Sequence, residues 1–114
     1  MSLDVDLMAT EPVSQWNYNI THNLNTMAKA CVVGTNHLTL YDVLWRPDEH
    51  GLKYARDLTK YLEEGYMNLT SHPEVYKAYN PENGWGSYEG LVKFVYEYWQ
   101  ACKQYPDSEV RANR

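Results

Sequence analysis

Between Ser87 and Pro106 the chain carries Leu91, Val92, Val95, Tyr98, Trp99 and Cys102 at helical spacing, the strongest apolar stripe in the sequence. Apolar residues three and four apart line one side of a helix. Ser87 supplies an N-cap and Pro106 a stop. A helix with one apolar side is unstable alone, so the remaining elements must cover that stripe in a layered, helix-rich architecture.

The rest of the chain offers suitable partners. Thr21 reads as the N-cap of a helix whose Leu24, Met27, Ala28 and Cys31 share one side, and Gly34 ends it. Thr39 with Asp42 caps a short helix carrying Leu40, Val43 and Leu44 inward, followed by Trp45 and stopped by Pro47. Asp48 and Glu49 suit the first turn of a longer helix presenting Leu52, Ala55, Leu58, Leu62, Tyr66 and Leu69. Gly65 is a weak point within it, at about 1 kcal/mol against alanine. Ser71-His72-Pro73-Glu74 predicts a capping box for a helix to about Tyr79.

Strand signals lie near the two ends. Trp16-Asn17-Tyr18-Asn19-Ile20 alternates apolar and polar side chains, the period of a half-buried strand. Ser108 to Ala112 reads as a closing strand. Pairing the two satisfies their backbone groups, and strand addition across a homodimer axis is the alternative. The expected fold class is α+β, mainly α: four or five helices packed with a two-stranded ribbon of the N- and C-terminal segments. Residues 1–13, polar and acidic up to Pro12, are expected to form a flexible arm, and residues 14–114 a single globular domain.

Composition narrows the function classes. A net charge of −5 opposes a nucleic-acid binder working through a basic face. Eleven Tyr and four Trp against one Phe favour half-buried positions and binding surfaces, because these rings combine contact area with a polar handle. Cys31 and Cys102 fall on apolar helical positions and read as small hydrophobes, not as a disulfide framework or a nucleophile. His22, His37, His50 and His72 lack metal-ligand spacing, so neither metal nor cofactor is expected. No charged-then-apolar leader and no apolar run of about 18 residues is seen, which points to the cytosol and away from membranes.

Two segments combine polar groups with a helix start. Asn19-Ile20-Thr21-His22-Asn23 sets two amides, a hydroxyl and an imidazole at a strand-to-helix junction, where free backbone N–H groups collect. Asn80-Pro81-Glu82-Asn83-Gly84-Trp85-Gly86 is dense in turn residues, with Trp85 between two glycines. It lacks the lysine and spacing of a phosphate loop. Either segment also serves as plain capping or a tight turn. If they meet, Asn19, His22, Asn23, Asn83 and Trp85 form a candidate ligand site. Arg46 is an anion-holding candidate, although an ion pair with Glu49 that braces a helix start is the stronger account.

Tyr18-Asn19-Ile20-Thr21-His22-Asn23-Leu24, Met27-Ala28, Leu44-Trp45-Arg46-Pro47 and the run Asn80 to Leu91 together resemble a family of small, uncharacterised proteins of bacteriophages and other mobile elements. The Ala101-Cys102 helix end and the Ser108-Glu109-Val110 tail fit the same pattern. The resemblance runs from about Trp16 to Val110, and its Asn80 to Gly90 block is the most specific part. It implies a phage-like setting in a host cytosol and carries no catalytic residue. The expected function is a non-enzymatic interaction module acting on a host or phage protein. The alternative is a small polar-ligand or nucleotide binder, with or without hydrolysis.

Overall fold

The computed structural model describes residues 2–9, 14–34, 37–82, 84 and 86–114, and for Ser14 and Gln15 the backbone alone. Strands β1 (Ser2–Met8), β2 (Ser14–Thr21) and β5 (Glu109–Asn113) form an antiparallel sheet in the order β2-β1-β5. Val5 lies opposite Tyr18 on one side and Ala112 on the other; Leu7 lies opposite Trp16 and Val110. With a side-chain period of two, Leu3, Val5 and Leu7 point into the core, where all three are fully buried. Asp4 and Asp6 alternate with them towards the polar face, where the Asn17 amide donates to the Asp6 carboxylate at 3.0 Å.

This arrangement corrects two expectations. Ser2–Met8 is not a flexible arm but the middle strand of the sheet. Its Leu3-Asp4-Val5-Asp6-Leu7 alternation buries every second side chain, and its position satisfies backbone groups on both sides. The expected pairing of the Trp16 and Val110 segments with each other is replaced by pairing of each with β1, so the ribbon has a third strand. Residues 10–13 lie outside the described residues.

The fold class is α+β and mainly α, with five α-helices among the described residues: α1 (Asn25–Lys29), α2 (Leu40–Trp45), α3 (Ala55–Ser71), α4 (Pro73–Lys77) and α5 (Tyr88–Gln104). A short ribbon of β3 (Val32–Val33) and β4 (Leu38–Thr39) joins α1 to α2. The long helices α3 and α5 pack together, and α5 also lies against β2, so its apolar stripe is covered from two sides. Val95 and Tyr98 are fully buried there, as is Phe94, which the stripe had omitted.

The caps follow local chemistry. At α2 the Asp42 N–H donates to the Thr39 hydroxyl at 3.3 Å, and the Thr39 N–H donates to the Asp42 carboxylate at 2.9 Å. At α5 the Gly90 N–H donates to Ser87 Oγ at 3.1 Å. Ser71, by contrast, is the last residue of α3, and His72 opens α4 without a side-chain cap. Asp48 and Glu49 sit in a 3-10 turn, Pro47–His50, closed by Gly51 in the left-handed conformation. The α3 helix begins later, where the Asp57 carboxylate accepts from the Tyr54 N–H at 2.9 Å.

Gly65 proves to be a close-packing position. A Cβ there would lie 2.8 Å from Leu40 Cδ1, so the bare backbone is what lets α3 approach α2.

Replacing Val5 or Val95 with Asp buries an unpaired carboxylate, a cost of at least about 3 kcal/mol. Both variants should therefore lose roughly 10 °C or more in thermal melting. Near-native melting of Val5→Asp would restore the flexible-arm reading of the N-terminus.

Candidate functional site

The two motif segments do meet. A Cβ on Gly86 would stand 2.6 Å from Thr21 Cγ2 and 3.0 Å from Leu24 Cγ, so the glycine backbone lies directly on the strand-to-helix junction. Gly86 also holds φ at +95°, a left-handed backbone that other residues rarely adopt. The turn is fastened to α5 by Asn80, whose side-chain oxygen accepts from the Tyr88 N–H at 2.8 Å. Thr21 caps the 3-10 turn His22–Leu24, its hydroxyl accepting from the Asn23 N–H at 3.4 Å.

The individual candidates separate. Asn19 lies on β2 opposite Asp4 and is exposed. Asn23 is also exposed, so its amide needs no buried partner. Asn83 and Trp85 themselves lie outside the described residues. His22 turns its ring edge-on to Trp45, centroids 6.2 Å apart, with its Nε2 buried and without a hydrogen-bond partner among the described residues.

Arg46 belongs to the same neighbourhood through aromatic contacts. Trp45 stacks on Tyr41 at 5.5 Å, and the Tyr41 hydroxyl accepts from Arg46 Nε at 2.9 Å. The guanidinium also meets the Glu49 carboxylate at 2.5 Å, as the sequence spacing anticipated. Tyr41 first, and then Glu49, hold its pKa above the ordinary arginine value. The group therefore acts as a brace on the Pro47 turn and already has its anion.

The C-terminus joins this brace. Arg114 donates to the Trp45 carbonyl at 2.8 Å and to the Asp48 carboxylate at 3.0 Å. That contact lowers the Asp48 pKa. Both thiols are core groups: burial pushes the Cys102 thiol up to about 12 and raises Cys31 as well, away from nucleophilic thiolate character.

A site that sequence reasoning missed lies beside β5. A groove of about 550 Å³ runs between the Pro47–Lys53 segment and the outer side of that strand. Pro47, Leu52, Val110 and Ala112 give it an apolar floor; Asp48, Lys53, Glu109 and Arg111 contribute charge. The Val110 N–H donates to the Lys53 carbonyl and the Ala55 N–H to the Ser108 carbonyl, each at 2.9 Å. Alternate residues of β5 thus turn their backbone groups away from β1. By that alternation the N–H and C=O of Ala112 face the groove, with no partner among the described residues. The strand and Pro47 were each legible in the sequence, but nothing local says that they become neighbours.

Among the described residues no helix is long and apolar enough to cross a membrane. Compared with protein-family models, curated proteins and solved structures, the chain matches none.

Gly86→Ala should cost well over 1 kcal/mol, since it adds a clash with Thr21 to a left-handed backbone. Gly84→Ala, with φ +75° but open space around its Cβ, should cost less. Equal melting temperatures for the two variants would show that the junction contact carries no energy.

Proposed function

We propose that this protein is a non-enzymatic binding module, an accessory factor of phage or mobile-element type acting on a host or phage protein in the cytosol. The observation that carries the reading is the β5 groove. Its floor is apolar, its rim is charged, and the backbone of Ala112 faces it with no partner among the described residues. An extended peptide adding to a strand edge gains main-chain hydrogen bonds there, while its alternate side chains fill the pocket. The acidic balance of the chain suits a protein partner better than a polyanion.

The probe is a library of random extended heptapeptides selected against the full chain. Enriched peptides should perturb the amide resonances of Lys53, Val110 and Ala112. Ala112→Pro removes the outward N–H where an edge strand tolerates proline, and should weaken binding at least about tenfold. Failure to enrich any peptide, or binders indifferent to Ala112→Pro, would sink the proposal.

The second reading is a small polar-ligand or nucleotide binder, with or without hydrolysis, at the junction of Asn19–Asn23 with Asn80–Ser87. It is supported by the contact of Gly86 with Thr21 and by the buried, unpartnered Nε2 of His22. A nucleoside mono-, di- or triphosphate present at about 100 times its dissociation constant should stabilise the chain by roughly 2.7 kcal/mol. His22→Phe should abolish that shift while leaving the melting temperature of the free protein near its original value. A flat melting profile across such a panel would remove this reading.

A further inference from the structure

The opposite edge of the sheet has a different character. Strand β2, Ser14–Thr21, is the outermost strand, and its sequence Ser-Gln-Trp-Asn-Tyr-Asn-Ile-Thr holds no charge, no proline and no glycine. Proteins usually shield such an edge with lysine, proline, a bulge or a covering element. The one irregularity falls between Leu7 and Met8, opposite the start of β2, and leaves the run from Trp16 onward regular.

The backbone alternation fixes which groups are free. Ser108 and Val110 turn outward, so Glu109 and Arg111 face β1, and with them Met8 and Asp6 face β5. Val5 and Leu7 therefore bond to Tyr18 and Trp16, and Asn17 and Asn19 turn their N–H and C=O groups away from the sheet. Both asparagines are exposed. Beside them a groove of about 390 Å³ opens between β2 and α5, lined in part by Trp16, Tyr18 and Tyr96. Tyr96 is 44% exposed.

We propose that the β2 edge is an interface for a second copy of this chain, the two β2 strands pairing antiparallel about a two-fold axis to make one continuous six-stranded sheet. An antiparallel edge is complementary to itself under such an axis. With Tyr18 set opposite its own counterpart, Asn17 of each copy faces Asn19 of the other, and each pair exchanges both backbone bonds. The aromatic groove adds the apolar area that a bare strand pairing lacks.

Charge selects the same edge. Each copy carries −5, so association is favoured where carboxylates stand back. Asp4 and Asp6 lie one strand inward, and Glu97 is the only charge among the residues lining this groove. The β5 side of the sheet, by contrast, presents Glu109 and Arg111 and is partly closed by Lys53 and Tyr54.

The test is sedimentation equilibrium of the full chain from low micromolar to several hundred micromolar, with amide hydrogen exchange on the same samples. The expected mass at the upper end is that of two 13.4 kDa chains. Asn17 and Asn19 amides should be protected there and should lose protection on dilution. Asn19→Pro removes an outward N–H where an edge strand tolerates proline and should raise the dissociation constant at least about tenfold; Met67→Lys, on α3, should leave it unchanged. A monomer at every concentration overturns the proposal and leaves the edge to some other strand. A dimer indifferent to Asn19→Pro, or one in which the Asn17 and Asn19 amides exchange freely, overturns it as well. The exchange measurement uses the unaltered chain, so it decides the matter even if the variant folds poorly.

Discussion

The fold depends on β1. Leu3, Val5 and Leu7 are fully buried, and the backbone of the strand pairs with β2 on one side and β5 on the other. Without it the strands at the two ends of the chain have no common partner, and the rings of Trp16 and Tyr18 have no sheet from which to meet α5. Three buried aliphatic side chains are worth roughly 1.5–3 kcal/mol each. That is a large share of a typical domain stability of 5–15 kcal/mol. A segment at the end of the chain therefore contributes as much as the interior of a long helix.

The helical layer closes onto this sheet through small residues at the contacts. Gly65 lets α3 approach Leu40, and the Cys31 thiol donates to the Gly65 carbonyl at 3.8 Å from the adjoining loop. Gly34 is a third such place: a Cβ there would stand 2.5 Å from Tyr61 Cε1, and its N–H donates to the Glu64 carboxylate at 2.6 Å. These contacts draw the β3–β4 ribbon onto α3, where the Asn68 amide also donates to the Val32 carbonyl at 2.9 Å. The surplus of tyrosine and tryptophan then fills what the small residues leave open. Trp16 stacks on Tyr98 at 5.1 Å, Tyr18 meets Phe94 edge-on, and Trp99 lies between Tyr66 and Lys103.

How legible this was in the sequence depended on the range of the signal. The α5 stripe, the Thr39–Asp42 box, the Ser87 cap and the final strand rest on residues within a few positions of each other, and each was read correctly. Ser71 shows the limit of such reading. Its capping pattern is present, but α3 runs through Ser71 to its end, and His72 opens α4 without a side-chain cap. The β1 alternation was also visible, yet two aspartates and a terminal position disguised it. Only the partners on either side make an acidic strand worthwhile. The candidate site divides the same way. Each of the two motif segments stands out by its own residues, whereas the β5 groove needed the fold to bring Pro47 against Val110.

The two ends of the sheet impose different physics on any partner. At β5 the chain has already begun to close the edge: Lys53 and Tyr54 pair with Ser108 to Val110, and Arg114 ties the C-terminus to Trp45 and Asp48. What remains open is short, walled and charged, a geometry that admits a few residues of an extended segment and discriminates by side chain. At β2 the edge is longer, unwalled on its polar face and uncharged, so recognition there rests on backbone pairing and aromatic contact. Backbone pairing alone distinguishes partners poorly. A long bare edge therefore tends to mate with whatever strand is present at highest local concentration, and for a homogeneous protein that strand is its own copy. Specificity for a foreign protein is better sought at the walled end, where Asp48, Lys53, Glu109 and Arg111 can reject the wrong sequence.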